Sequence, residues 1–121
     1  MEAIGSRLEP PHPTVLVHGD LWQGNTMWLD GSLVAIIDWD CAGVGHPGVD
    51  LGSLRCDVAL FQGPEHADLV VAYWDVVACL STPPDVGEWL PNAVDQGRGD
   101  LDGPTLNARR DEFLKAALNR L

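Results

Sequence analysis

The sequence predicts an α+β domain, on three observations. Short apolar and β-branched runs fill the first third of the chain after its opening residues. An Asp-Gly pair separates two of those runs. From about Val49 onward, apolar residues recur at helical spacing instead. Strands first and helices afterwards do not make an alternating βαβ arrangement. With 121 residues, 45% of them hydrophobic, and five Trp, the chain has the material for one packed core.

The elements follow in order. Residues 1–14, polar and Pro-rich through "EPPHP", read as a lead-in segment. "TVLVH" is a β-branched run and reads as a strand, and "GDLWQGN" reads as a loop. "TMWL", "DG" and "SLVAIID" form a β-hairpin, because Asp30-Gly31 suits a two-residue turn that needs positive φ. "CAGVGHPG" reads as a Gly-rich connection. "VDLGSLRCDVALF" and "PEHADLVVAYWDVVACL" are helical, the second with Leu69, Val70, Tyr73, Trp74, Val77 and Leu80 as one core-facing stripe. Residues 81–104 form a long connector with a helical turn around Val86–Leu90. "TLNARRDEFLKAALNRL" closes the chain as a helix. Asp102 or Thr105 caps it, Pro104 sits in its first turn, and Leu106, Phe113, Leu114, Ala117, Leu118 and Leu121 face inward.

Composition excludes several functions. The net charge is −11 and the pI about 4.4, which argues against nucleic-acid and anionic-membrane partners, since both need basic patches. The acidity fits metal ions or cationic small molecules, and equally plain solubility. Cys41, Cys56 and Cys79 show no metal-binding spacing and read as buried free thiols of a reducing compartment. With no signal peptide and no apolar stretch near the length of a membrane span, the expected location is the cytoplasm.

The stretch from Val15 to Asp40 places Asp20, Asn25, Asp30, Asp38 and Asp40 among apolar runs. With Asp30-Gly31 as the turn, Leu29 faces Ser32 and Asn25 falls opposite Ile36. Asp38 lies two residues beyond Ile36 and therefore on the same face as Asn25. Diagonal neighbours of this kind have backbones roughly 7–8 Å apart, so their side chains can share a cation. Mg²⁺ takes oxygen donors and keeps positions for phosphate and water. Asp20, in the preceding loop, is placed to accept a proton from an attacking hydroxyl or to orient it. Asp30 reads as a turn residue only.

"HGDLWQGN" (His18 to Asn25), "IIDWD" (Ile36 to Asp40) and "GHPGVDL" (Gly45 to Leu51) resemble the C-terminal lobe of the aminoglycoside phosphotransferase family, whose fold is protein-kinase-like. The closing "RRDEFLKAAL" is similar as well, so the likeness runs from about Val15 to the end. The resemblance implies a kinase-like catalytic lobe over residues 15–121, with Asp20 as the catalytic carboxylate and Asn25 and Asp38 as Mg²⁺ ligands. His18 and Asp50 resemble groups that brace the catalytic loop. It implies Mg²⁺ and ATP or GTP as cofactors, and a hydroxyl of an aminoglycoside-like or related small molecule as acceptor. Asp40 receives no role beyond solvation or a contact to a cationic substrate. His46 reads as a loop residue.

Enzymes of this fold grip ATP with a separate N-terminal lobe and a strand lysine. The single lysine, Lys115, lies downstream of every motif, and the few residues before Val15 cannot build such a lobe. The expectation is therefore the catalytic lobe alone. The surface left for the other lobe should be apolar and prone to self-association, with Trp22 and Trp39 as candidates for it. Gly43, Gly45 and Gly48 spell G-x-G-x-x-G, but Asp38 and Asp40 would repel a pyrophosphate there, and no second parallel strand follows. Three functions stay open: a phosphotransferase, a non-catalytic remnant or binding module of the same fold, and a Mg²⁺-dependent phosphohydrolase.

Overall fold

A computed structural model describes residues 13–67 and 72–121; the lead-in up to residue 12, and with it Leu69 and Val70, lies outside them. The domain is α+β, as expected. Strand β1 (Val15–Val17) is followed by a 3₁₀ turn (Gln23–Asn25), β2 (Thr26–Leu29), β3 (Ser32–Ile36) and β4 (Gly43–Gly45). Helix α1 (Gly48–Phe61) comes next, then α2 (Ala72–Leu80), a 3₁₀ turn (Val86–Trp89), α3 (Leu90–Asp95) and α4 (Gly103–Leu118). No helix of the described residues is long and apolar enough to cross a membrane.

The strands form two separate antiparallel pairs, β2 with β3 and β1 with β4. The second pair corrects the reading of "CAGVGHPG" as connection only: Gly43–Gly45 runs alongside Val15–Val17 with Leu16 opposite Val44. A ladder needs backbone N–H and C=O groups rather than side chains, so glycine did not prevent it. The hairpin turn is as predicted, with positive φ at Asp30 (50°) and Gly31 (78°). Its register is not. Leu29 faces Ser32 and Trp28 faces Leu33, but Met27 then faces Ala35 and Thr26 faces Ile36. A bulge at Val34 inserts one residue, so Asn25 moves opposite Ile37, whose N–H donates to the Asn25 carbonyl at 2.9 Å.

The core lies between the helices. Cys56, Ala59, Leu60 and Phe61 of α1 meet Cys79 of α2, Val86, Ala93, Leu101, and Leu106 and Phe113 of α4. Burial of these apolar groups supplies the main drive for folding, at roughly 25 cal/mol per Å². Gly48 and Gly52, one turn apart on α1, let α2 approach at Trp74: a Cβ on Gly48 would overlap the Trp74 ring, and one on Gly52 its backbone carbonyl. Two of the glycine-rich stretch's features are thus strand pairing and helix packing. Arg55 of α1 pairs with Asp75 of α2 through Nε (2.8 Å) and Nη2 (3.0 Å), both residues buried, and its third bond goes to the Ala67 carbonyl. Its guanidinium lies 5.6 Å from the Phe113 ring centre, which ties α4 to the same point.

Asp102, not Thr105, caps α4, its carboxylate accepting the Thr105 N–H at 2.8 Å. Leu106, Phe113 and Ala117 are buried and Leu114 half-buried as expected, but Leu118, the helix's last residue, and Leu121, beyond its end, are exposed and correct the inward reading given to them. Cys56 and Cys79 are buried as expected, whereas Cys41 is exposed. On α2, Leu80 is likewise exposed. The connector carries α3 beyond the expected turn. It is pinned to α4 by Asn107, which bonds Asp85 and the Val86 N–H, and by Arg110, which bonds the Pro83 and Pro84 carbonyls. Exposed apolar side chains concentrate on the strands, at Leu16, Val44, Met27, Trp28, Leu29 and Val34. Trp22, by contrast, packs against the core.

Candidate active site

The loop after β1 is built around one carboxylate. Asp50, in the first turn of α1, accepts the His18 N–H on Oδ2 at 2.7 Å and the Gly19 N–H on Oδ1 at 2.9 Å. Two charge-assisted bonds to adjacent backbone groups fix the chain where it leaves the strand. His18 is 2% exposed, with its Nε2 2.7 Å from the Ile37 carbonyl. A carbonyl can only accept, so the ring proton is on Nε2. Nδ1 is then an acceptor, and it takes the Asp20 N–H at 3.2 Å. One imidazole therefore joins the residue just after β3 to the backbone of Asp20. Trp39, whose indole N–H bonds the Ile36 carbonyl, covers that ring with centres 4.6 Å apart. Gly19 has φ of 84°, and a Cβ there would overlap the Cys41 carbonyl, so the turn needs glycine twice over.

Asn25 is buried at the end of the 3₁₀ turn. Its Nδ2 donates to the Asp20 carbonyl at 2.9 Å and reaches Asp20 Oδ2 at 3.4 Å. With the amide nitrogen committed to Asp20, the amide oxygen is the atom left for another partner. Asp38 is the residue whose placement the register put in question. The bulge alone would send it to the opposite face from Asn25. Strand β3 ends at Ile36, however, and Asp38 adopts a left-handed backbone with φ of 61°, which breaks the alternation. Asp20, Asn25 and Asp38 accordingly line one cavity of about 540 Å³. The three residues thus share one cavity, by a route other than regular strand geometry.

The remaining walls come from the helices. Val49, Ser53, Cys56 and Asp57 recur at i, i+4, i+7 and i+8 on α1, and Trp74, Val77 and Ala78 face them from α2. Trp74 and Val77, read from periodicity as core, are thus cavity wall. Trp22 and Trp89 close the apolar part. Asp57 was missed by the sequence reading. It is 6% exposed, and its Oδ2 accepts the Gln23 N–H at 2.9 Å. Burial pushes its carboxyl up to about 6, against the smaller opposing effect of the Gln23 bond. The available signal was the i, i+3, i+7 spacing of Asp50, Ser53 and Asp57, which puts Asp57 on the helix face that also carries Asp50.

Among the described residues, no three of His, Cys, Asp and Glu cluster closely enough to hold a metal by themselves. Asn25 and Asp38 instead offer an amide oxygen and a carboxylate, a sparse oxygen set of the kind that suits Mg²⁺ with phosphate and water completing its shell. Asp30 is exposed at the hairpin tip, and Asp40 is exposed and outside the cavity lining. His46 accepts the Gly48 N–H on Nδ1 at 2.7 Å and packs on Trp74, so it serves the start of α1.

A family model described as the phosphotransferase enzyme family matches residues 1–89 of the 121, a span that includes every residue from His18 to Asp57 discussed above. No curated protein and no solved structure gives a match. The family match bears out the resemblance read from "HGDLWQGN" and "IIDWD", and the chain belongs to the phosphotransferase enzyme family.

Proposed function

We propose that the chain carries the catalytic lobe of an enzyme that transfers the terminal phosphate of a nucleoside triphosphate, ATP or GTP, to a hydroxyl of a small molecule. The supporting observation is the convergence of Asp20, Asn25 and Asp38 on one cavity, with Asn25 tethered to Asp20. In this reading the Asp20 carboxylate receives the hydroxyl's proton or holds that hydroxyl in line with the phosphate. Asn25 and Asp38 hold Mg²⁺ through oxygen, and the ion when bound neutralises charge on the phosphates. Asp50 and His18 act through the backbone: they fix the loop so that Asp20 does not have to be ordered at the moment of reaction.

A second reading, a binding module of the same fold without turnover, has one observation in its favour. Among the described residues, no Lys, Arg or His lines the cavity to grip phosphate. One experiment separates the readings. The chain is incubated with Mg²⁺, ATP or GTP labelled on the terminal phosphate, and a panel of hydroxylated small molecules. The phosphotransferase reading expects labelled acceptor, and a loss of at least about 100-fold in Asp20→Ala with the circular dichroism spectrum unchanged. Nucleotide binding without transfer would support the binding module, and phosphate release without acceptor a hydrolase. Transfer that persists in Asp20→Ala would remove that residue from the chemistry.

A further inference from the structure

Two of the three cysteines meet inside the helical core. Cys56 of α1 and Cys79 of α2 are both buried, and both belong to the same apolar cluster. Their thiols interact directly across the interface of the two helices. The backbones come close at this interface. One turn before Cys56, a Cβ on Gly52 would overlap the Trp74 carbonyl and meet the Trp74 Cβ at 3.0 Å. Arg55, next to Cys56, is joined to Asp75 of α2 by two hydrogen bonds, which fixes how α1 is turned toward α2. A disulfide needs Cα atoms roughly 4.4–6.8 Å apart with the Cβ atoms facing. Closely packed helices whose thiols already face each other are the arrangement that this requirement describes.

The pair is also within reach of a small solute, because Cys56 lines the cavity of about 540 Å³ beside Ser53 and Asp57. The bond from the Cys56 thiol holds Cys79 below the ordinary thiol range, while the same bond and burial push Cys56 above it. A sulfur biased toward thiolate beside a second thiol is the chemistry of cysteines that oxidise as a pair. We propose that Cys56 and Cys79 are a redox modification site for hydroperoxides, whose reversible disulfide locks the two helical walls of the cavity together. One sulfur attacks a peroxide oxygen, the O–O bond breaks, a sulfenic acid forms and the first water leaves. The other sulfur displaces the sulfenic oxygen as a second water, and the S–S bond forms. Two thiols and one hydrogen peroxide thus give one disulfide and two waters, and the two thiol protons end in the waters. The bond ties α1 between Ser53 and Asp57 to α2 just beyond Val77 and Ala78, which line the opposite wall. None of this depends on phosphotransfer.

The test treats the reduced full chain with stoichiometric hydrogen peroxide, unfolds it and blocks free thiols with N-ethylmaleimide. Cleavage after Arg55 and Glu65 then leaves Cys41, Cys56 and Cys79 on separate peptides. Mass spectrometry should find the Cys56 and Cys79 peptides joined, two hydrogens lighter than their sum, with the Cys41 peptide outside the link. Dithiothreitol should separate them. The oxidised protein should melt at least about 5 °C higher than the reduced one and return on reduction. Amide exchange in α2 should slow at least about tenfold in the oxidised form. Cys79→Ala should remove the link and both shifts; if that variant folds poorly, the peptide map of the wild type decides alone. The proposal is overturned if Cys56 and Cys79 are both alkylated after peroxide, or if the link joins Cys41 to either. Oxygen added to Cys56 or Cys79 without a link, or a linked protein that melts no higher, overturns it as well.

Discussion

Replacing Asp57 by Asn should stabilise the protein at neutral pH and do nothing at pH 4. Asn has nearly the same shape and keeps an oxygen for the Gln23 N–H, so the substitution removes the charge and little else. The carboxyl titrates near 3.8 in an unfolded chain and is pushed up to about 6 by burial in the fold. A folded-state value above the unfolded one favours the folded protein below about pH 4. That advantage is lost as pH rises through about 6. At about 1.4 kcal/mol for each tenfold change in proton affinity, the gap amounts to about 3 kcal/mol of lost stability above pH 7, as an upper bound. Asp20 and Asp38, the other acids of the cavity, are present in both proteins and cancel in the difference. Urea unfolding of both proteins at several pH values between 4 and 8 measures it. The variant should match the wild type at pH 4 and exceed it by about 2–3 kcal/mol at pH 7.5. A difference that does not change with pH, or a variant weaker at pH 7.5, would refute the argument that this acid is charged against the preference of its surroundings.

Further outcomes follow from the packing. Asp75→Ala leaves the Arg55 guanidinium buried without its partner and should lower unfolding free energy by about 3–5 kcal/mol in urea titrations. Gly52→Ala drives a methyl group into the Trp74 carbonyl and should cost about 1–3 kcal/mol, whereas Gly43→Ala, with open space around it, should shift the thermal midpoint little. Asp50→Ala strands the His18 and Gly19 N–H groups. It should cost about 2–3 kcal/mol and raise hydrogen exchange at those two amides ahead of the rest of the domain.

Much of this site was legible because its parts are local. Asp30-Gly31 predicts its turn from the φ values that only such residues accept readily, and the H-G-D spacing places a glycine where the loop doubles back. The register was not legible. The bulge at Val34 carries no glycine or proline to announce it, and a single extra residue reverses the face of everything beyond. Asp38 reached the cavity only because a second irregularity, its own left-handed backbone, interrupts the strand. Helical periodicity found α1 and α2 but could not tell a core face from a cavity wall, since both are apolar. Trp74 was therefore assigned to the core and Asp57 overlooked. The pairing of Gly43–Gly45 with β1 depends on backbone hydrogen bonds between segments far apart in the chain, for which no side-chain pattern exists.

The central claim is that Asn25 and Asp38 present their oxygens to one divalent ion beside Asp20. Mn²⁺, a paramagnetic substitute for Mg²⁺, tests it most directly when added in substoichiometric amounts to the chain with a nucleoside triphosphate. The account predicts that NMR signals of Asp20, the Asn25 side-chain amide and Asp38 broaden first, and that Asp38→Ala abolishes this while the rest of the spectrum is preserved. Broadening centred elsewhere in the domain, or unchanged in Asp38→Ala, would contradict it.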